Sequence, residues 1–405
     1  PLTRSHPAVA RNGLVYFTEG GLLLARPATP LPPDPPLSAP EPGVRRLTQP
    51  SGDGFSIWNA VALGSRGFAV LGRAFSAGTL PGARPIPPDT VVVATYTREG
   101  TLGASVQEPL GGFLSPPPWI LASPDGSRLD MANGGVLTRY DATLESPLLR
   151  APFPYPALAV SAAGELLVSG ANSPPAPAPT LDGFSPSASL AWSWPLSGGV
   201  TIVAAAFGAG GDAVAAGAFP DPTAPMYSQP VSRPRSGFVG AFPRTGAPAW
   251  LRPLPGVLPE ALVTDPAGNA YLAATSAGAF DVGRGPEVVP QPGVSAVILA
   301  KYAPDGSVTW VRLFPRCASP QLAIAANGTL AIAVRGDLDP SGTAPEGSIS
   351  PTVSIGVLAA DGTPTWVEHA GDTWPQGLSV YPDGHTLTVE GLPDGAGAVV
   401  ERGPQ

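Results

Sequence analysis

Short apolar runs closed by turn residues recur along almost the whole chain. Leu322-Ala-Ile-Ala, then Asn327-Gly328, then Leu330-Ala-Ile-Ala-Val is typical. Two short runs flank a residue pair that accepts positive φ, which is the pattern of two strands joined by a tight hairpin, not of a helix. The pattern returns with turn glycines at Gly13, Gly67, Gly126, Gly164, Gly211, Gly268, Gly328 and Gly384, a mean spacing of 53 residues. Asn12-Gly13, Asp125-Gly126 and Asp383-Gly384 carry the same turn chemistry.

A second element repeats in phase with the first. Ala296-Val-Ile-Leu-Ala-Lys-Tyr-Ala-Pro-Asp-Gly-Ser-Val-Thr-Trp310 is echoed by Gly240 to Trp250 and by Gly356 to Trp366, and more faintly by Phe184 to Trp192. In the three clear copies a tryptophan follows the turn glycine (Gly246, Gly306, Gly362) by four residues. Each unit therefore reads as four strands, A to D, with A and B forming the hairpin and the tryptophan at the start of D. Repeated four-stranded units of this length are the pattern of propeller blades, each burying its faces against its neighbours. Trp192, Trp250, Trp310 and Trp366 are then expected at the seams between blades.

The expectation is an all-β propeller filling 1–405 as one domain. Eight hairpins imply eight blades, with seven as the alternative. The approximate blade boundaries are 5–50, 51–111, 112–152, 153–197, 198–256, 257–316, 317–372, and 373–405 with 1–4. The last unit stops after strand C, and Leu2-Thr3-Arg4 is expected to supply its fourth strand and close the ring.

Composition sharpens this picture. Proline (55) and glycine (50) together occupy about a quarter of the 405 positions, enough to suggest disorder. Only 13% of residues are charged while 43% are hydrophobic, however, which disordered chains are not. The net charge of −8, without a basic run, argues against nucleic acid as a partner. The longest uncharged stretch, Gly183 to Gly211, has an apolar heart of only Val200 to Phe207, too short to span a membrane, so the chain reads as soluble. The start at Pro1, with no apolar leader, suggests a processed N-terminus.

The residues Asp265, Gly268, Asn269 and Tyr271, with Lys301, Tyr302, Asp305, Gly306 and Trp310, resemble the bacterial SBBP-type β-propeller repeat. The Gly-x-x-x-Trp element also resembles the tryptophan-docking repeat of quinoprotein-like propellers. The first resemblance implies a secreted or surface-attached bacterial protein. The second includes both quinone-dependent dehydrogenases and a non-catalytic assembly lipoprotein. It implies architecture and does not transfer function. The vicinal disulfide frequent among the dehydrogenases is impossible with one cysteine, and no cofactor is expected.

No catalytic constellation stands out. Cys317 reads as a small buried hydrophobe, and His6, His369 and His385 show no spacing that would serve it as a base. No Gly-x-Ser-x-Gly elbow exists. Asp281, Glu287, Asp337, Asp339 and Glu346 are the carboxylates a glycosidase site could draw on, but they read as solvated loop residues. Asp337-Leu-Asp339 lacks the rest of a calcium loop, so no metal site is expected. Trp58, Trp119 and Trp374 fall at the starts of A-type runs, where an exposed ring could meet a ligand.

Proline concentrates in the B–C connections: Ala28 to Gly43, Ser76 to Asp89, Asn172 to Thr180, Phe219 to Gly237, Ala277 to Gly293 and Gly336 to Thr352. In a propeller these emerge on one face with the D–A loops, and long loops in compact domains are usually functional. The functional expectation is a non-catalytic extracellular or cell-surface module for protein binding or assembly through this face, with a glycan as the alternative partner. The alternatives are a carbohydrate-active enzyme and a structural subunit of a surface filament or large complex.

Overall fold

Where both faces of a sheet are covered, a strand can be apolar at every position, and the runs noted above form such strands. The computed structural model describes residues 8–9, 14–19, 22–27, 44–48, 55–77, 85–110, 118–153, 155–170, 180–196, 200–219, 236–245, 247–289, 294–338, 352–370, 374–375, 377–391 and 397–403. Among them there are strands and turns and no α-helix, so none long and apolar enough to cross a membrane.

The chain divides into two compact units, 1–42 and 43–405. The first holds a three-stranded antiparallel sheet of β1 (Ala8–Val9), β2 (Leu14–Glu19) and β3 (Leu22–Pro27). The second opens with β4 (Val44–Thr48) and contains seven four-stranded sheets, a seven-bladed propeller arrangement.

Blade 1 is β5 (Phe55–Ala62), β6 (Gly67–Ala74), β7 (Thr90–Thr97) and β8 (Leu102–Pro109). Blade 2 is β9 (Trp119–Ala122), β10 (Arg128–Asn133), β11 (Val136–Asp141) and β12 (Pro147–Pro152). Blade 3 is β13 (Ala157–Val160), β14 (Leu166–Gly170), β15 (Thr180–Phe184) and β16 (Leu190–Pro195). Blade 4 is β17 (Thr201–Phe207), β18 (Ala213–Ala218), β19 (Ser236–Phe242) and β20 (Trp250–Pro255). Blade 5 is β21 (Leu258–Thr264), β22 (Ala270–Ser276), β25 (Ala296–Tyr302) and β26 (Val308–Pro315). Its B–C connection carries a hairpin of β23 (Ala279–Phe280) and β24 (Glu287–Val288). Blade 6 is β27 (Ala318–Ile324), β28 (Leu330–Arg335), β29 (Val353–Leu358) and β30 (Pro364–His369). Blade 7 is β31 (Leu378–Val380), β32 (Thr386–Gly391), β33 (Gly397–Arg402) and, as its outermost strand, β4.

The eight-blade expectation is therefore corrected to seven. The hairpin around Gly13 belongs to the three-stranded sheet, so 5–50 is not a blade. The strand that completes blade 7 is β4, antiparallel to β33 with Arg402 opposite Val44, and not Leu2-Thr3-Arg4, which lies outside the described residues. Arg45, Leu47 and their neighbours looked like the tail of a first blade, because sequence proximity favoured the hairpin just before them.

Side-chain alternation distributes each strand between two seams. Ala296, Ile298, Ala300 and Tyr302 of β25 pack with Val214, Val239 and Leu254 of blade 4. Val297 and Leu299 point the other way and pack with Ile332 and Val334 of blade 6. Blade 7 packs on blade 1 in the same manner, with Tyr381, Leu387 and Val399 against Ile57, Val70 and Val92.

Candidate functional site

The expected tryptophan seams are present in two clear copies. Trp250 of blade 4 donates its indole N–H to the Pro304 carbonyl in the C–D turn of blade 5, at 2.9 Å. Trp310 of blade 5 donates to Ala360 in the corresponding turn of blade 6, also at 2.9 Å. Each ring lies against the turn glycine. A Cβ on Gly306 would come within 2.5 Å of the Trp250 ring, and one on Gly362 within 2.6 Å of Trp310. Both glycines have positive φ, +79° and +81°. Gly306 and Gly362 thus each receive the tryptophan of the preceding copy, not their own.

Trp192 packs at the seam of blades 3 and 4 and covers Gly183 of its own sheet, while the indole that bonds across this seam is Trp194, to Pro243 at 2.8 Å. Trp366 packs among Val357, Val380 and Leu378, between blades 6 and 7.

The remaining motif residues hold the same scaffold. Asp265 accepts from the Asn269 backbone (2.9 Å), the Asn269 amide (2.7 Å) and the Tyr271 hydroxyl (3.0 Å), fixing the A–B turn of blade 5. Burial, with the Asp265 charge beside it, pushes the Tyr271 phenol well up from its ordinary value.

Of the candidate carboxylates, Asp281 is engaged locally. Asp281 accepts from the amides of Gly283 (2.7 Å) and Gly285 (3.1 Å). Glu287 lies in β24 opposite Phe280. Asp337 offers its carbonyl to the Cys317 thiol at 3.1 Å, and Asp339 and Glu346 fall outside the described residues. Cys317 is fully buried, and desolvation pushes its thiol up to about 12, which disfavours the thiolate. Among the described residues no group of three His, Cys, Asp or Glu converges as metal ligands would.

The inner strands line an open cavity of about 260 Å³ on the A–B turn side. Val61, Leu121, Ser123, Val263, Ile324 and Ser379 are among the residues lining it, and none of its lining side chains titrates.

The opposite face carries the B–C connections, five of the six expected ones now placed between B and C strands; Ala28 to Gly43 instead joins β3 to β4. At the roots of three connections large apolar side chains stand exposed: Phe75 after β6 (52%), Phe219 after β18 (43%) and Val288 in β24 (63%). Phe75 lies under the Arg73 guanidinium at 4.4 Å, and Phe219 rests on Phe238 at 5.5 Å, so both rings are held in place while exposed. Sequence reasoning missed them, although an aromatic residue ending a buried run just before a turn-rich segment (Ala74-Phe75-Ser, Ala218-Phe219-Pro) was a usable signal. Trp58, Trp119 and Trp374 are partly buried: Trp119 meets Phe153 edge-on at 6.3 Å, and the Arg335 guanidinium sits 6.0 Å above Trp374.

A charged cluster, also missed, joins blades 7 and 1. Glu401 in β33 accepts from Arg45 of β4 at 2.5 Å and from Arg98 in the C–D turn of blade 1 at 2.9 Å. Arg98 also pairs with Asp383 and lies 4.6 Å above the Tyr381 ring. Charges are so scarce in this chain that Glu401-Arg402, directly after Val399-Val400, was the available signal.

No family model and no curated protein sequence matches the chain. Among solved structures, virginiamycin B lyase from Staphylococcus aureus is similar over 89% of this chain and 99% of its own, with 9% identity and a TM-score of 0.51. Hydrazine synthase from Kuenenia stuttgartiensis aligns over 72% of this chain and 98% of that one, at 15% identity and a TM-score of 0.40. A protein of unknown function from Bacteroides caccae aligns over 67% and 90%, at 12% identity and a TM-score of 0.38. The first of these similarities is one of fold, and at 9% identity it brings no chemistry with it.

Proposed function

We propose that the chain is an extracellular or cell-surface propeller that works as a non-catalytic binding or assembly module, its partner a protein that contacts the face bearing the B–C connections. The observation that carries this reading is the placement of Phe75, Phe219 and Val288. Large apolar side chains left exposed, two of them (Phe75 and Phe219) held by a neighbouring side chain, are favourable where a partner covers them, since exposed apolar surface is a marker of interaction sites. The resemblance to surface-protein repeats supports the location.

The test compares the chain with a triple variant, Phe75→Ala, Phe219→Ala and Val288→Ser, in a pull-down from the native cell surface, after light scattering has shown the same mass and circular dichroism the same strand signal. Loss of one discrete partner from the variant supports the proposal. An unchanged partner profile overturns the assignment of the face. Hydrolysis of a glycan panel by a monomer that captures no partner overturns the module reading in favour of the carbohydrate-active alternative.

A further inference from the structure

The cavity on the A–B turn side is polar through its main chain more than through its side chains. In blade 1 the Leu63 amide donates to the Gly67 carbonyl at 2.9 Å. In blades 2, 6 and 7 the amides of Ser123, Ala325 and Tyr381 make the same bond, to Arg128 (3.0 Å), Thr329 (2.9 Å) and His385 (2.8 Å). Bonded and non-bonded pairs alternate along an antiparallel ladder. The residue before each of these, Ala62, Ala122, Ile324 and Val380, therefore turns its N–H and C=O away from strand B. Each A strand is the edge of its sheet, and all four residues line the cavity. Four peptide donors and four acceptors thus face it without a ladder partner. Comparable carbonyls elsewhere are taken by hydroxyls. Thr264 Oγ1 donates at 2.6 Å to Phe207, the equivalent residue of blade 4, and Ser379 Oγ donates at 3.4 Å to Ala60.

We infer that this cavity is a binding site for a small, uncharged ligand carrying amide groups, of the size of a cyclic dipeptide. Val61, Leu121, Leu322 and Leu378 supply aliphatic contact around the peptide groups, and no lining side chain titrates. A charged ligand would lose water there without gaining a counter-charge. No aromatic ring lines the cavity, so neither a sugar face nor a nucleobase finds a surface to stack on. An amide brings donor and acceptor together on a neutral group, which is what a set of unpaired peptide units can satisfy from both sides. The volume of about 260 Å³ lies below the roughly 300–1,000 Å³ of sites for drug-sized molecules, and this sets the ligand's size. The inference goes beyond the proposed function and fails separately from it, because the cavity lies on the face opposite the B–C connections.

The test titrates the full chain by calorimetry with the cyclic dipeptide of leucine and glycine, with linear leucylglycine, which is zwitterionic, and with glucose. The cyclic dipeptide is expected to bind with a dissociation constant of about 1 mM, as suits so small a ligand, and the other two at least about tenfold more weakly. Amide exchange then locates the site. Bound cyclic dipeptide should slow exchange in 60–64, 120–124, 322–326 and 378–382 and leave 205–209, the equivalent segment of blade 4, unchanged. Ala326→Trp places a large side chain at an exposed turn position that lines the cavity. With the strand signal in circular dichroism unchanged, it should weaken binding by about tenfold or more. No binding of the cyclic dipeptide to the wild-type chain overturns the inference, and so does equal affinity for leucylglycine or glucose. Protection confined to other segments, or full affinity in a folded Ala326→Trp variant, overturns the placement of the site.

Discussion

The seam between blades 5 and 6 and the seam between blades 7 and 1 do the same job with different chemistry. At the first, Trp310 covers Gly362 and its N–H bonds to the Ala360 carbonyl, joining apolar contact and one neutral hydrogen bond in a single side chain. At the second, a buried carboxylate, Glu401, is shared by Arg45 and Arg98, with Asp383 on the far side of Arg98. The two seams have similar apolar cores. What differs is the clasp at the rim, and the difference follows connectivity. Blade 1 offers a C–D turn and a glycine, Gly100, just as blade 6 offers Gly362, but the strand that crosses it is β4, which carries no tryptophan and sets the Leu47 carbonyl against Gly100. The side-chain bonds at this rim are therefore made by charges that meet across a long sequence separation.

The comparison breaks most visibly at Trp310. Trp310→Ala removes an interblade ring and a hydrogen bond, and a loss of about 3 kcal/mol in urea unfolding is expected, towards the low end for large aromatics because the ring is only partly buried. A loss under about 0.5 kcal/mol, the range of ordinary surface substitutions, would show that the indole clasp is dispensable. Gly362→Ala comes next. Positive φ and the ring in the path of a Cβ act together there, and about 2 kcal/mol of destabilisation is expected. Pairing Gly362→Ala with Trp310→Ala sharpens the reading: in the double variant the cost of the alanine falls, because the ring it meets has gone.

Glu401→Gln belongs lower on the scale. The carboxylate is buried, at 4% side-chain exposure, but Arg45 and Arg98 are 50% and 24% exposed and regain water when released. A cost of about 1–2 kcal/mol is expected, well below that of breaking a fully buried pair. Its signature is location: amide exchange should rise in 44–48 and 397–402 and stay unchanged in 308–315. A uniform rise would mean that the charges stabilise the whole propeller, not one seam.

How much of this was legible follows from the range of each interaction. Hairpins and Gly-x-x-x-Trp elements are local, so the blade period was readable at Gly268, Gly306 and Trp310. The resemblance drawn on those residues concerned the scaffold, and the structure uses Asp265, Asn269 and Tyr271 to hold a turn. Blade count was misread because strand assignment to a sheet is not local: β4 lies next to β3 in sequence and next to β33 in space. For the same reason Phe75 and Phe219 were legible only singly, each as an aromatic residue closing an apolar run before a turn-rich segment. Each is one ordinary aromatic residue until the topology puts their connections on one face.

The smallest expected effect is also the most selective. Burial disfavours the Asp383 carboxylate, but the Arg98 hydrogen bond, the His385 amide and the Arg98 charge together outweigh it and hold the carboxyl below its ordinary value near 3.8. A depressed folded value means that the stabilisation is fully present above the unfolded-state pKa and is lost as pH falls through the folded one. Amide exchange in 44–48 and 397–402, corrected for its intrinsic pH dependence, should therefore stay flat from about pH 7 to 5 and accelerate below about 4. Asp305 and Asp361 are held low as well, by Ser307 and Thr363. Those carboxylates brace their own turns; Asp361 also takes a 3.4 Å bond from Arg312 across the 5–6 seam, but between solvent-accessible groups, and the indole N–H to carbonyl bonds that cross both seams carry no titrating group. Acid should then loosen the 7–1 seam before the 4–5 and 5–6 seams, and Asp383→Asn should flatten the response of the first alone. Equal acceleration at all three would place the acid sensitivity in the turns and not in the clasp.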